Sequence, residues 1–352
     1  MTATEPSTPD EHVSFVRHVV RTVVGGFLMG LANLVPGISG GTMILAVGLY
    51  DRFIGAVADV TRLRLRLETL AFLGVLGLAL VATVVTLAGP IVTAVTDYRW
   101  VAYSLFVGLT LGGVPELARR SRPFGPGVAT AVAAGVGAMV LLAMGLTGTR
   151  LPETIPVFLL VGAAAASSMI LPGISGSYVL LILGVYDVVI GHLSPSAWRA
   201  DAGEAARIVG PVVVGAGLGI AILSNVLRAL LARAPRVSHG ALLGLLLGSV
   251  IGLWPFQRPV HPELAQRETR KAVAMLVDGA GGDAIRERWG AEFDDARLAE
   301  LGERYGARSG SELKTMGDAL QFFTPGGVQI AVALGLLVLG FCTTLALGRW
   351  GG

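Results

Sequence analysis

Twenty residues of this chain occur twice. Residues 36–55 read PGISGGTMILAVGLYDRFIG and residues 172–191 read PGISGSYVLLILGVYDVVIG, identical at 11 of 20 positions with a constant offset of 136. In a chain rich in Gly, Leu and Val, composition alone would give roughly two or three matches. A true duplication constrains the fold more than any other feature, because both copies must be built the same way. In each, an apolar run meets Pro-Gly-Ile-Ser-Gly and resumes as a second apolar run ending in Gly-x-Tyr-Asp. Proline lacks an amide donor and fixes φ, and the glycines on either side of the serine admit angles that a helix interior does not use. Each copy therefore predicts two helical limbs joined by a break.

The surroundings of both breaks are apolar. Hydrophobic residues make up 53% of the 352 and charged residues only 14%, with a mean hydropathy of +0.70. Uncharged windows cover residues 22–50, 69–96, 123–149, 154–186, 208–227 and 319–348. Each supplies the roughly 20 apolar residues that one crossing of a bilayer needs. The chain reads as an all-α, polytopic membrane protein. The net charge of +3 comes largely from arginines at the ends of apolar runs, and no basic block with interleaved aromatics points to nucleic acid. Cys342 is the single cysteine, so no intrachain disulfide forms. Residues 1–15, which include Glu5, Asp10 and Glu11, are expected to be disordered, and the apolar run after them to be a retained membrane segment.

The limbs of the first copy are expected over residues 19–35 and 42–58. About 17 residues at 1.5 Å each reach ~25 Å, short of a full crossing. A hairpin entering and leaving by one face is favoured, although two full crossings keep the same parity. With the amino end inside, Arg62, Arg64, Arg66, Arg119, Arg120, Arg122, Arg228, Arg233, Arg236 and Arg349 all fall inside. The outer connections carry only Arg99, Arg150, Arg199 and Arg207, as the positive-inside bias requires. A hairpin plus three spans is an odd number of crossings, so the second copy is expected upside down relative to the first. The expected architecture is thus two inverted-topology repeats, each of a broken or re-entrant helical hairpin plus three transmembrane helices. The first repeat covers residues 16–149, and the second covers 150–257 with its last span at 323–352. Residues 258–322 form an extramembrane insertion. Gly108-x-x-x-Gly112-x-x-Pro115 also recurs as Gly248-x-x-x-Gly252-x-x-Pro255, at offset 140.

A helix broken inside a bilayer leaves amide donors that hydrocarbon cannot satisfy, so such backbone must be buried in protein or line a polar cavity. The donors here belong to Ser39, Gly40, Gly41 and Thr42 in one copy and to Ser175, Gly176, Ser177 and Tyr178 in the other. Helix amino termini carry partial positive charge, so both sets suit an anion and in particular a phosphate. The bland alternative is that the small residues are packing devices. Asn33, Ser167 and Ser168 precede the breaks and would satisfy broken backbone or line the site. Tyr50, Asp51, Tyr186 and Asp187 are expected to end each second limb at the membrane interface, with direct substrate contact as the sharper reading. Glu68 and Glu204, again at offset 136, are expected to start the next helices, with proton coupling as the sharper reading. Arg119 reads first as a topology determinant and second as a head-group contact. No metal-ligand cluster, nucleophile elbow or P-loop occurs, so an enzyme is not expected.

The doubled PGISGG/PGISGS, each followed by Gly-x-Tyr-Asp, resembles the polyprenyl-phosphate (undecaprenyl-phosphate) translocases of the PopT type, formerly a family of unknown function. The resemblance covers residues 18–257 and the last span, with the motif falling on residues 36–42 and 172–178. It implies a flippase of the cytoplasmic membrane that recycles the lipid carrier of peptidoglycan synthesis, with undecaprenyl phosphate and membrane lipids as partners. No cofactor is expected, and coupling to a proton or sodium gradient is left open. Ser177 and Tyr178 stand where the first copy has Gly41 and Thr42, so the half-sites need not contribute equally. The competing readings are a transporter or channel for a small inorganic or organic anion, and a membrane enzyme acting on lipid phosphate.

Overall fold

The computed structural model describes residues 9–35, 37–144, 151–193, 195–290 and 292–350. The protein is all-α, with about four-fifths of the described residues helical. The first copy and its sequel form α1 (Pro9–Asn33), α2 (Gly40–Ala46), α3 (Tyr50–Thr61), α4 (Leu67–Asp97), α5 (Arg99–Leu111), α6 (Val114–Arg120) and α7 (Pro126–Met144). The second forms α8 (Ile155–Ile170), α9 (Gly176–Ile182), α10 (Tyr186–His192), α11 (Pro195–Ala200), α12 (Ala202–Arg233) and α13 (Pro235–Gly252). An insertion then carries β1 (Gln257–Pro259), α14 (Pro262–Ala265), α15 (Arg267–Val277), α16 (Gly282–Trp289), α17 (Asp295–Tyr305), α18 (Gly310–Asp318) and β2 (Leu320–Phe322), before the closing α19 (Gly327–Trp350). Helix α1 starts at Pro9, within the stretch expected to be disordered. Pro36 lies outside the described residues.

Among the described residues, four helical stretches are long and apolar enough to cross a bilayer: Leu67–Ile91, Arg99–Arg120, Ala202–Arg233 and Gly327–Arg349. Pro126–Leu142 and Ile155–Ile170 are shorter apolar helices. Together they make this a multi-pass membrane protein.

The duplication is reproduced in the backbone. Gly37 and Gly173 adopt φ of +87° and +88°, a left-handed conformation that glycine alone takes at no steric cost. A second pair, Gly48 and Gly184, sits at +72° and +70°. This corrects the expectation that Gly-x-Tyr-Asp closes the second limb. The glycine ends a seven-residue helix, and the Tyr-Asp begins another, α3 in one copy and α10 in the other.

The chain divides into two compact units. In the first (Met1–Val92, Tyr103–Trp254, Ala333–Gly352), helices meet where glycine lets backbones touch. A Cβ on Gly26 would lie 2.4 Å from Leu76 O, and one on Gly162 would lie 2.1 Å from Val212 O. Both members of the second contact are the first shifted by 136, so α1 packs on α4 as α8 packs on α12. Helix α7 runs alongside α13, with Gly127, Gly135 and Met139 facing Val237, Ala241 and Gly248 in turn. Helix α5 runs alongside α19, where Gly108 faces Leu337, Gly112 faces Thr344, and Thr344 Oγ1 donates to Leu109 O at 2.9 Å. Each copy's closing helix therefore leans on the other copy.

The second unit (Thr93–Ala102, Pro255–Val332) has its own core of Leu264, Val273, Ile285, Phe293, Leu301, Tyr305 and Leu313. Tyr305 donates to Glu263, and Arg304 Nη1 meets the same carboxylate at 2.9 Å, tying α17 to α14. Strand β1 pairs antiparallel with β2, Gln257 opposite Phe322 and Pro259 opposite Leu320.

Candidate functional site at the two breaks

Both breaks make hairpins. Along the first, Gly40 lies against Met29 and Asn33, and Gly25 lies against Ile44 and Leu49. At its foot Arg21 Nε donates to Val47 O at 2.8 Å and Nη2 to Gly48 O at 3.0 Å. These are carbonyls that the end of α2 leaves without an intrahelical partner. In the second hairpin Gly176 takes the corresponding place against Ala165 and Met169. Its base is an apolar cluster of Phe158, Val161, Leu180, Val185 and Val189.

The two tips meet. When α8 stops at Ile170 its last carbonyls lose their helical partners, and hydroxyls of the first copy replace them. Ser39 Oγ donates to Leu171 O at 2.8 Å, and the buried Tyr50 hydroxyl donates to Ile170 O at 3.2 Å. The Gly173 amide donates to Thr42 Oγ1 at 2.8 Å. Gly41 permits this approach, because a Cβ there would lie 2.8 Å from Ile170 O and 3.1 Å from both Leu171 O and Met169 O. Ser39 and Thr42 are buried at 2% and 1% exposure. The tip of the second hairpin is also held by α13, where Gly173 packs against Leu245 and Ser249.

The second copy does not return the arrangement. Ser175 is half-buried and Ser177 exposed, and their hydroxyls lie 2.9 Å from each other. The half-buried Tyr178 hydroxyl reaches Leu142 O at 3.4 Å. Neither Ser39 nor Ser175 caps its own helix with its side chain; the Thr42 amide of α2 donates to Ser39 O at 3.1 Å, whereas the amides of Gly176, Ser177 and Tyr178 in α9 keep their donor capacity. The structure thus gathers the eight expected residues into one region but gives the copies different work. One set of hydroxyls clasps the opposite backbone, and the other stands open.

The supporting residues divide similarly. Asn33 ends α1 in an exposed position, and Ser168 Oγ donates back to Ala165 O at 2.7 Å, a carbonyl inside α8 rather than at the break. Tyr50 is a buried contact between hairpins, which corrects its expected interfacial place, and Tyr186 is half-buried against the Phe158 cluster. Asp187 lies in α10 and its side chain is outside the described residues. Glu68 and Glu204 are exposed in the first turns of α4 and α12. Arg119 is exposed and pairs with Glu116 at 2.5 Å.

Asp51 opens a cluster that sequence reasoning missed. Its carboxylate pairs with Arg120, Arg120 Nε meets Glu116 at 2.5 Å, and His239 Nε2 lies 3.9 Å from Asp51. These groups, with Gly48 and Leu117, line a crevice of about 10 Å³, room for one water. The cluster has no sequence signal of its own, because Glu116 and Arg120 correspond at offset 140 to Phe256 and Val260. Nearby, Arg228 Nη1 meets Asp59 at 2.5 Å, joining the end of α12 to α3.

Residues 29–270 match a family described as undecaprenyl phosphate translocase-like. A polyprenyl-phosphate transporter of Vibrio cholerae serotype O1 is 30% identical over 251 residues, 67% of this chain and 78% of that protein. A polyprenyl-phosphate transporter of Staphylococcus aureus is 27% identical over 248 residues, 66% of this chain and 85% of that protein. No solved structure matches the chain. The matched region contains both breaks, the contacts between their tips and the Asp51 cluster. The resemblance read from the doubled motif holds, and so does the reading as a transporter rather than an enzyme. The chain belongs to the undecaprenyl phosphate translocase-like family.

Proposed function

We propose that the protein carries undecaprenyl phosphate, or a close polyprenyl analogue, between the leaflets of the cytoplasmic membrane by alternating access, returning the carrier for peptidoglycan synthesis. The observation that carries the proposal is the open Ser175–Ser177 pair at a break whose backbone is already held by Ser39, Thr42 and Tyr50. A lipid phosphate carries one to two charges and crosses hydrocarbon only at a large desolvation cost. Two hydroxyl donors and the first-turn amides of α9 replace its water, while the polyprenyl chain stays in lipid. In this reading the first break is the scaffold and Ser175, Gly176, Ser177 and Tyr178 hold the head group.

Inverted, re-entrant repeats belong to the same proposal. Their support is a chain of contacts. Asp51–Arg120 and Asp59–Arg228 gather the foot of the first hairpin, the end of α6 and the end of α12 at one arginine-rich end. Helix α4 leaves from that end, just after Arg66, whereas α12 arrives there. Because α1 runs with α4 and α8 with α12, the copies run in opposite senses. Rocking of one copy against the other would then alternate access to the breaks.

The test is movement of polyprenyl phosphate between leaflets in proteoliposomes, with and without a proton or sodium gradient. A hydrogen bond to a charged group contributes ~1.5–3 kcal/mol, so Ser175→Ala with Ser177→Ala should slow transport by tenfold or more. Uptake of inorganic phosphate without lipid movement would overturn the proposal in favour of a small-anion carrier.

A further inference from the structure

The two-stranded ribbon of the insertion has two unlike faces. Side chains alternate across a strand, so the observed register puts Gln257, Pro259, Leu320 and Phe322 on one face and Arg258 with Gln321 on the other. All of β2 is exposed, and Phe322 is 73% exposed although it is the largest apolar group of the ribbon. Two strands of three residues are marginal in water by themselves, and an uncovered apolar face makes them more so. That face needs a partner.

The surroundings of the ribbon identify it. The same compact unit contains two places where the chain must pass through the bilayer surface. One is the corner at Tyr98, a single residue between α4 and α5, 63% exposed. The other is the start of α19, whose apolar span opens at Gly327. Phe322 precedes Gly327 by five residues, so even an extended chain leaves it within ~17 Å of that point. Exposed apolar surface continues from Leu320 and Phe322 into Val328 in the first turn of the span. The edge-to-face pair of Phe256 and Phe323 stiffens the base of the ribbon, with ring centroids 5.9 Å apart.

We propose that the β1–β2 ribbon lies on the lipid surface, with Leu320 and Phe322 inserted among the lipid head groups and Arg258 and Gln321 turned to water. The ribbon then fixes the insertion against the bilayer surface from which the first turn of α19 departs. Aromatic side chains favour this interfacial layer, and amphipathic segments insert into it by ~5–10 Å.

The experiment uses the full-length protein in vesicles of phosphatidylcholine and phosphatidylglycerol, with Cys342→Ser as background. Phe322→Cys and Gln321→Cys are each labelled with an environment-sensitive fluorophore, and quenching by spin-labelled lipid is measured. The expected result is blue-shifted emission at 322 with at least about twofold stronger lipid quenching than at 321. Equal, water-like emission at both positions would overturn the inference. So would a blue shift at 322 that the spin-labelled lipid leaves unquenched and that grows with protein-to-lipid ratio, which would assign the face to a second copy of the chain.

Discussion

Replacing Thr42 by Val separates the two kinds of hydroxyl at the breaks. Valine keeps the shape and removes the only atom that accepts from the Gly173 amide, at 2.8 Å in a position 1% exposed. A buried amide left without an acceptor costs ~1–3 kcal/mol in soluble proteins. Hydrogen bonds between membrane helices average ~0.6 kcal/mol and reach ~1.7. A loss of ~1–2 kcal/mol follows, a factor of ~5–30 in the unfolding equilibrium. Ser39→Ala should act in the same direction, because it takes the hydroxyl donor from the Leu171 carbonyl. Ser175→Ala removes a half-buried hydroxyl whose partner is another hydroxyl, so its stability should stay within ~0.5 kcal/mol of the parent. Unfolding in mixed micelles with rising dodecyl sulfate, followed by circular dichroism, reads the stability, and the proteoliposome assay reads transport. Thr42→Val should lower the first and Ser175→Ala the second. If Ser175→Ala destabilises while Thr42→Val unfolds like the parent, the division between scaffold and binding site is wrong.

Further outcomes follow from the packing and the charges. Gly162→Ala places a methyl 2.1 Å from Val212 O and should force α8 from α12 at a cost of ~1–3 kcal/mol or more. Gly137→Ala, with nothing within 4 Å, should be neutral or stabilising by the same unfolding measurement. The Asp51–Arg120 pair is 49% and 37% exposed, so Asp51→Asn should cost no more than ~1 kcal/mol. A short bifunctional thiol cross-linker joining Asp51→Cys to Arg120→Cys in a Cys342→Ser background should nevertheless arrest transport if this end must open, and undiminished transport of the cross-linked protein would exclude such an opening. In the insertion, burial pushes the Glu263 carboxyl up, but the bonds from Tyr305 and Arg304 outweigh it and hold it below its ordinary 4.5. A carboxyl depressed by folding stabilises above its unfolded value and stops doing so as pH falls through its folded one. The protection factors of α17 amides in the full chain, taken relative to intrinsic exchange at each pH, should therefore fall below about pH 4.5, and Glu263→Gln should flatten that response.

The spans, the two primary breaks and the copy-to-copy correspondence were legible because each has a local cause. Uncharged windows mark helices that cross, Pro-Gly marks where they stop, and repetition fixes the equivalence of Gly37 with Gly173. The second break was missed because Gly48 and Gly184 sit inside apolar runs, and a lone glycine in such a run costs a helix only about 1 kcal/mol. Whether it bends the chain depends on what meets the freed carbonyls, here the Arg21 guanidinium from 27 positions upstream. The unequal roles of Ser39 and Ser175 were illegible for a related reason. Both stand in the same five-residue motif, and only the packing of one hairpin against the other determines which is covered. The sequence difference at Gly41 and Ser177 carried part of that answer. Glycine permits three carbonyls to close in, and serine at the equivalent place faces outward.

The lending of closing helices between copies bears on what can move and on how such a chain could arise. Helix α7 is clamped to α13 through Gly135, Gly244 and Gly248, and α19 to α5 through Gly108 and Gly340. A boundary drawn at the midpoint of the polypeptide would cut both clamps, so in any rocking of the copies each lent helix moves with the copy that receives it. An ancestor of one copy could not have completed this packing alone. It would have required two chains, each donating its final helix to its twin.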